Sequence, residues 1–204
     1  MDLSDTPKDW QGEIRTALLA EGLGSSDFDL NGHLPRPQQQ PLRQAGVLVG
    51  FTDGAMGPEI LLTKRASSLR HHPGQIAFPG GSKDPEDASL EACALREAHE
   101  EIGLPPENVS VIGRLPVHET VTGFAMTPVV GWLKGDFEPR LQPQEVTELF
   151  RVPLRHLIEP RHYRIEGRRW RGARRQYYAV PWGPYYIWGA TARILRGMAD
   201  RLAR

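Results

Sequence analysis

One cysteine, Cys93, stands alone in 204 residues, which excludes an internal disulfide framework and a cysteine-built zinc site. No apolar run in the chain approaches the ~18 residues that a membrane-spanning helix needs. The opening segment, MDLSDTPKDW, is acidic and polar and lacks the basic start and apolar middle of a secretory signal. The chain ends Arg-Leu-Ala-Arg, which is not a peroxisomal tripeptide. The expectation is a soluble, cytoplasmic protein. Hydrophobic residues make up 39% and charged residues 25%, an ordinary globular composition. A 22.9 kDa chain holds one full domain and is too short for two ordinary ones.

The formal net charge of zero conceals an asymmetry. Residues 1–139 carry 20 Asp and Glu against 11 Lys and Arg, a balance of −9, and residues 140–204 carry 5 against 14, a balance of +9. That polarity suits a cation held by one half and an anionic ligand held by the other. It equally suits two halves that pair with and solvate each other.

Periodicity and punctuation lay out the elements. Thr6 as cap, Pro7 at the first position and Trp10, Ile14 and Leu18 at four-residue intervals predict a helix from Pro7 to about Glu21. Residues 22–43, rich in Gly, Pro and Gln, read as an irregular arm packed on the domain. Two short apolar runs, Ala45–Phe51 and Glu59–Thr63, read as strands of a hairpin around a Gly/Asp turn. A loop is expected from Lys64 to Glu86. Leu90, Ala94, Ala98 and Ile102 then mark a helix, with Asp87 as its cap and Gly103, Pro105 and Pro106 as its stop. Further strands are expected at Val109–Leu115, Thr127–Leu133, Arg161–Glu166 and around Gln176–Val180, and a last helix from about Trp188. Helices interleaved with short strands indicate an α/β protein with a mixed β-sheet.

The chemistry concentrates in Arg96-Glu97-Ala98-His99-Glu100-Glu101-Ile102-Gly103-Leu104. At about 100° per residue, Glu97, Glu100 and Glu101 share an arc of about 100° on one side of the helix. Like charges at these spacings cost an exposed helix about 0.2–0.5 kcal/mol per pair, and they sit near the negative end of the helix dipole. A hard divalent cation would relieve that liability, since magnesium takes oxygen ligands and arrives with waters and substrate phosphates. A solvated acidic face is the bland alternative. Phe78-Pro79-Gly80-Gly81 in front of the helix lets backbone approach closely, which favours metal–diphosphate chemistry.

The stretch from Gly81 through Asp87 to Arg96–Leu104 resembles the Nudix box, a glycine and a glutamate followed by R-E-U-x-E-E-x-G-U, where U is aliphatic. It departs upstream, where Asp87 replaces the glutamate and the gap to Arg96 is one residue longer. A second block, Leu61-Leu62-Thr63-Lys64-Arg65-Ala66-Ser67-Ser68-Leu69-Arg70-His71-His72-Pro73-Gly74-Gln75-Ile76-Ala77-Phe78-Pro79-Gly80-Gly81, resembles the segment that marks the coenzyme A diphosphatase branch, in which the box is often longer by one. Glu145 to Leu154 and Ile187 to Leu195 are similar to it too. The resemblance covers roughly residues 44–196. It implies a Nudix-type α/β/α sandwich with a mixed sheet over residues 44–204; residues 1–43, outside it, keep the reading of helix and packed arm.

The implied activity is hydrolysis of the coenzyme A diphosphate to 4′-phosphopantetheine and adenosine 3′,5′-bisphosphate. Mg²⁺ or Mn²⁺ on Glu97, Glu100, Glu101 and the Gly81 carbonyl would neutralise the diphosphate and polarise a water. Arg96 takes a structural role, pairing with a box carboxylate. The general base is left between Glu100 and Glu145. Lys64, Arg65, Arg70 and Gln75 are the substrate-binding candidates, since guanidinium forks match phosphate oxygens. His99 is expected to face solvent, Cys93 to serve packing, and Trp188 and Phe124 to lie in the core. The expected partner is the small-molecule nucleotide, with no membrane or nucleic acid and a homodimer left open. Other Nudix substrates (NADH, ADP-ribose, capped RNA) and a non-catalytic binding module are the competing readings.

Seven arginines fall within residues 161–175, RHYRIEGRRWRGARR, interleaved with Tyr163 and Trp170. A solvated hairpin, a clamp for the coenzyme A 3′-phosphate and a nucleic-acid surface all fit that pattern.

Overall fold

The computed structural model describes residues 9–20, 22–33, 41–170 and 172–203. In chain order the elements are α1 (Trp10–Leu19), β1 (Ser25–Ser26), β2 (Arg43–Thr52), β3 (Glu59–Arg65), β4 (Ile76–Ala77), β5 (Gly80–Ser82) and α2 (Leu90–Ile102). Next come β6 (Val109–Arg114), β7 (His118–Glu119), β8 (Phe124–Leu133), β9 (Val146–Pro153), α3 (Leu154–Leu157), β10 (Arg164–Trp170), β11 (Ala173–Ala179) and α4 (Ala190–Leu202). One nine-stranded sheet runs β1-β7-β8-β2-β3-β4, with β5 added on β2, β6 on β8 and β9 on β3. It is mixed, because β2 and β8 lie parallel from Arg43↔Phe124 to Phe51↔Trp132 while most other pairs are antiparallel. Strands β10 and β11 form a separate two-stranded ribbon.

Both faces of the sheet are covered, so its central strands read as continuous apolar runs. Val47, Val49 and Phe51 of β2 pack with Ile14 of α1, Leu154 and Leu157 of α3 and Leu195 and Met198 of α4. Leu48 and Leu61, one residue out of phase, pack with Ala94, Ala98 and Ile102 of α2 on the other side. The period-2 alternation of strands thus builds an α/β/α sandwich. Small residues bring α2 close to the sheet: a Cβ on Gly46 would lie 2.5 Å from the Leu90 carbonyl oxygen. That close seating sets the height of α2, and with it the carboxylates, over the β5 backbone.

Several sequence expectations shift. The predicted start of the first helix at Thr6 and Pro7 lies outside the described residues. Within them α1 begins at Trp10, with the Asp9 carboxylate accepting from Gly12 N at 3.0 Å. The α2 cap is Ser89, whose Oγ accepts from Ala92 N at 3.1 Å, rather than Asp87, whose carboxylate is taken by Arg96. Gly103 closes α2 as expected, with φ 72° and its N–H on the Ala98 and His99 carbonyls. The stretch read as a loop from Lys64 to Glu86 contributes strands β4 and β5. Residues 160–162 form a short 3-10 turn, so the strand expected from Arg161 begins at Arg164. Strand β9 had no expectation of its own. Phe124 and Trp188 belong to neither core cluster; both are half-exposed, under the guanidinia of Arg43 and Arg168 respectively.

Candidate active site

The site is built where the β5 backbone passes beneath α2. A Cβ on Gly81 would sit 2.5 Å from the Glu97 carboxylate, so only a bare Cα admits that side chain at its place. Gly80 has φ +148°, and a Cβ there would meet Gly46 O at 2.4 Å. Its N–H donates to Glu101 Oε2 at 3.1 Å. Glu101 is 3% exposed, Glu97 half-buried and Glu100 exposed, so the shared arc read from the sequence runs from core to solvent.

Arg96 organises the outer flank. Its Nε and Nη2 donate to the two oxygens of buried Asp87 at 3.0 Å each, a bidentate fork. Nη1 donates to Glu100 Oε2 at 2.8 Å, and Nη2 to Glu97 Oε1 at 3.0 Å and to the Ser82 carbonyl at 3.3 Å. Asp84 stands 3.5 Å away. The hydrogen bonds from Arg96 hold the Asp87 carboxyl down at about 2, and the same partners push the guanidinium further up.

Arg65 brings the second motif block to the first. A register shift between Lys64 and Arg65 leaves Thr147 of β9 as an extra residue, and such bulges re-aim the strand. Arg65 Nη1 then stands 3.9 Å from Glu101 Oε1. Among the described residues its Nε is buried without a hydrogen-bond partner. Glu145 arrives from the same edge. Arg140 N and Gln142 N donate to the last carbonyls of α2, at Ile102 and Glu101, and satisfy helix-end acceptors. The turn Gln142–Glu145 that follows is pinned by Ala66 N donating to Glu145 O at 2.7 Å.

Burial is the largest cause that raises the Glu101 carboxyl, to about 7, with Glu97 and Glu145 adding to it against the Gly80 N–H and Arg65. Burial also raises Glu97, opposed by Arg96 and reinforced by Glu100 and Glu145. Burial therefore disfavours the charged forms of both carboxyls, and a bound cation would favour them. Among the described residues no three His, Cys, Asp or Glu side chains converge into a cage able to hold an ion by themselves. An open row of carboxylates suits a hard cation that completes its shell with water and phosphate oxygens. The carbonyl of Gly81 accepts the weak S–H donor of Cys93 at 3.6 Å.

The structure thus brings Glu97, Glu101, Gly81, Arg65 and Glu145 together and leaves Glu100 turned to Arg96 at the rim. Lys64 and Arg70 are exposed, and Gln75 joins the site through its carbonyl, which accepts from Arg65 N at 2.9 Å. His99 is exposed and Cys93 buried, its thiol raised first by burial. Sequence reasoning missed Asp84 and the Gly80 N–H. The Asp84–Asp87 spacing, one turn of chain, was the available signal for the former.

A family profile described as NUDIX domain matches residues 42–172. The chain is 45% identical over 157 residues to the "Uncharacterized Nudix hydrolase NudL" of Enterobacter sp. (strain 638), covering 77% of this chain and 81% of that one. The protein of the same name from Citrobacter koseri is 43% identical over 177 residues, covering 85% and 92%. Among solved structures, the Nudix hydrolase RenU from M. smegmatis is similar with a TM-score of 0.49 and 24% identity, covering 58% of this chain and 74% of that one.

Proposed function

The chain belongs to the Nudix domain family, and on that premise we propose that it hydrolyses the diphosphate of coenzyme A to 4′-phosphopantetheine and adenosine 3′,5′-bisphosphate. Hydrolysis of a pyrophosphate bond comes with the family; coenzyme A as substrate is the finer reading. It rests on the 61–81 block, and one observation supports the diphosphate chemistry beneath it. Arg65, from that block, brings a buried N–H, unsatisfied among the described residues, beside Glu101, whose carboxylate Glu97 repels. Such a donor and two carboxyls raised by burial are jointly satisfied by a cation bound to a phosphate anion.

Nudix hydrolases generally use divalent metals such as Mg²⁺ or Mn²⁺, and Glu97, Glu100, Glu101 and the Gly81 carbonyl would hold them here, supplying charge neutralisation and a water of lowered pKa. Arg65 grips a phosphate oxygen through its Nε and orients the diphosphate. Arg70, Lys64 and Gln75 line the same loop and strand end, where they hold the rest of the nucleotide. Of the two proton acceptors considered, Glu100 has an oxygen engaged by Arg96, whereas Glu145 lies in the field of Glu97 and Glu101, so Glu145 is the base. The catalytic domain is read as residues 44–204, with residues 1–43 as its arm, working on a small-molecule nucleotide in the cytoplasm.

Product identification by mass spectrometry tests the reading, with coenzyme A, NADH, ADP-ribose and a dinucleoside polyphosphate each offered with Mg²⁺ and with Mn²⁺. The two named products forming fastest from coenzyme A is the expected result. Cleavage of another substrate with coenzyme A untouched removes the specificity assignment and keeps the hydrolase. No turnover of any substrate favours a binding module.

A further inference from the structure

The β10–β11 ribbon plays no part in the chemistry above, yet it concentrates charge. Its register sets Arg168 opposite Arg175 and Arg169 opposite Arg174, two consecutive like-charged pairs. Directly opposed like charges destabilise a hairpin. Arg164, Arg168, Arg169 and Arg174 are all exposed, and the one carboxylate of the ribbon, Glu166, accepts from the Tyr186 hydroxyl at 2.6 Å.

Alternation decides what these arginines can hold. Arg168 and Arg175 share one face, and Arg169 and Arg174 the other, so the four guanidinia cannot converge on one phosphate. Arg175 is half-buried over the Phe28 ring, and a single 3′-phosphate cannot engage exposed Arg168 together with Arg169 and Arg174. A row of phosphates passing over the end of the ribbon engages both faces. On the Arg168 face stands an aromatic shelf: Trp188 lies under Arg168 at 5.0 Å and tilts against Tyr177 at 4.9 Å. Tyr186, 41% exposed, extends that half-buried shelf toward solvent, its hydroxyl 3.4 Å from that of Tyr177. Basic rows beside exposed aromatics are how single strands are held without sequence preference, phosphates on the cations and bases on the rings. The acidic half of a second copy is a poorer occupant, because Asp84, Asp87, Glu97 and Glu100 are already engaged by Arg96.

We propose that the arginine ribbon with its Tyr177, Tyr186 and Trp188 shelf binds single-stranded polynucleotide. This departs from the expectation of no nucleic-acid partner, and it stands independently of the diphosphate reading. Asn31 braces the ribbon in place: its Oδ1 accepts from Gln176 N at 2.8 Å and its Nδ2 donates to Gln176 O at 2.9 Å.

The test is fluorescence anisotropy of the full chain with labelled single-stranded RNA of about a dozen nucleotides, and with DNA of the same sequence, across about 50–200 mM salt. The wild type is expected to bind with steep salt dependence. The triple variant Arg168→Gln, Arg169→Gln, Arg174→Gln is expected to lose more than tenfold in affinity, with a log–log salt slope shallower by about 2. Tyr186→Leu is expected to weaken binding about fivefold or more with the slope unchanged, as lost stacking does. Unchanged circular dichroism and unchanged hydrolysis of a small diphosphate substrate certify the variants. Salt-insensitive or absent binding by the wild type, or equal binding by the triple variant, overturns the proposal. A triple variant that instead loses coenzyme A selectively over dephospho-coenzyme A, or loses self-association on size exclusion, overturns it in favour of the 3′-phosphate or of a second copy.

Discussion

Gly80 and Gly81 are neighbours with different duties, and the same substitution separates them. At Gly81 a methyl meets the mobile end of Glu97, so Gly81→Ala should fold normally while moving the carboxylate. A displacement near 1 Å costs roughly a hundredfold in rate, so kcat should fall about that far with little change in Tm. At Gly80 the methyl meets backbone at Gly46 under a left-handed φ, so Gly80→Ala should lower the thermal midpoint itself. Glu101 carries the pH dependence. Its folded carboxyl is raised from 4.5 to about 7, so the folded state binds the proton more tightly than the unfolded state. Stability from this group is fully present below about 4.5, declines as pH rises toward 7, and is then constant. In EDTA the urea midpoint of the wild type should therefore fall between pH 5 and pH 8, and Glu101→Gln should flatten that fall. Added Mg²⁺ at the higher pH should restore the wild type alone. These contacts were legible only in part. The sequence places Glu97, Glu100 and Glu101 on one helix side, but which one enters the core depends on how α2 is rolled against the sheet.

Helix α2 shows what local signals can and cannot settle. Asp87 and Ser89 are both good cap residues, two positions apart. Arg96, nine residues on, takes Asp87 for its fork and leaves the cap to Ser89. Two substitutions expose the division. Ser89→Ala should cost about 1 kcal/mol in chemical denaturation and leave activity unchanged, as loss of a cap does. Asp87→Asn breaks a buried charged pair and should cost about 1.5–3 kcal/mol near neutral pH, fading as pH drops toward 2, where the wild-type Asp87 is itself protonated. The end of α2 was readable, because Gly103 followed by two prolines permits little else. Strand β9 was not, because its burial pattern interrupts a clean alternation, with Glu148 and Leu149 both half-buried. Glu148 is tolerable there since the Tyr185 hydroxyl donates to it, a partner 37 residues away.

At the scale of the whole molecule, the N-terminal arm ties distant parts together. Buried His118 bridges Ser25 Oγ at 2.9 Å and Asp27 Oδ1 at 3.2 Å, and Arg193 of α4 holds Asp29 at 2.8 Å. Asn31, 1% exposed, supplies the free edge of β11 with the bonds a neighbouring strand would make. Asn31→Ala leaves the Gln176 backbone without those partners, and should destabilise by about 1–3 kcal/mol, with hydrogen exchange accelerated at Gln176 before the sheet. By itself the sequence determined the α/β class, the carboxylate helix and its stop, the glycine turn before it and the family, because these rest on spacing within a few turns of chain. Only the tertiary structure decided that Arg65 and Glu145 join Glu97 and Glu101, that Asp87 serves Arg96, and that the arginines divide between two faces of a ribbon. Those outcomes depend on strand register and helix seating, which fix distances between residues far apart in the chain and leave no local pattern to read.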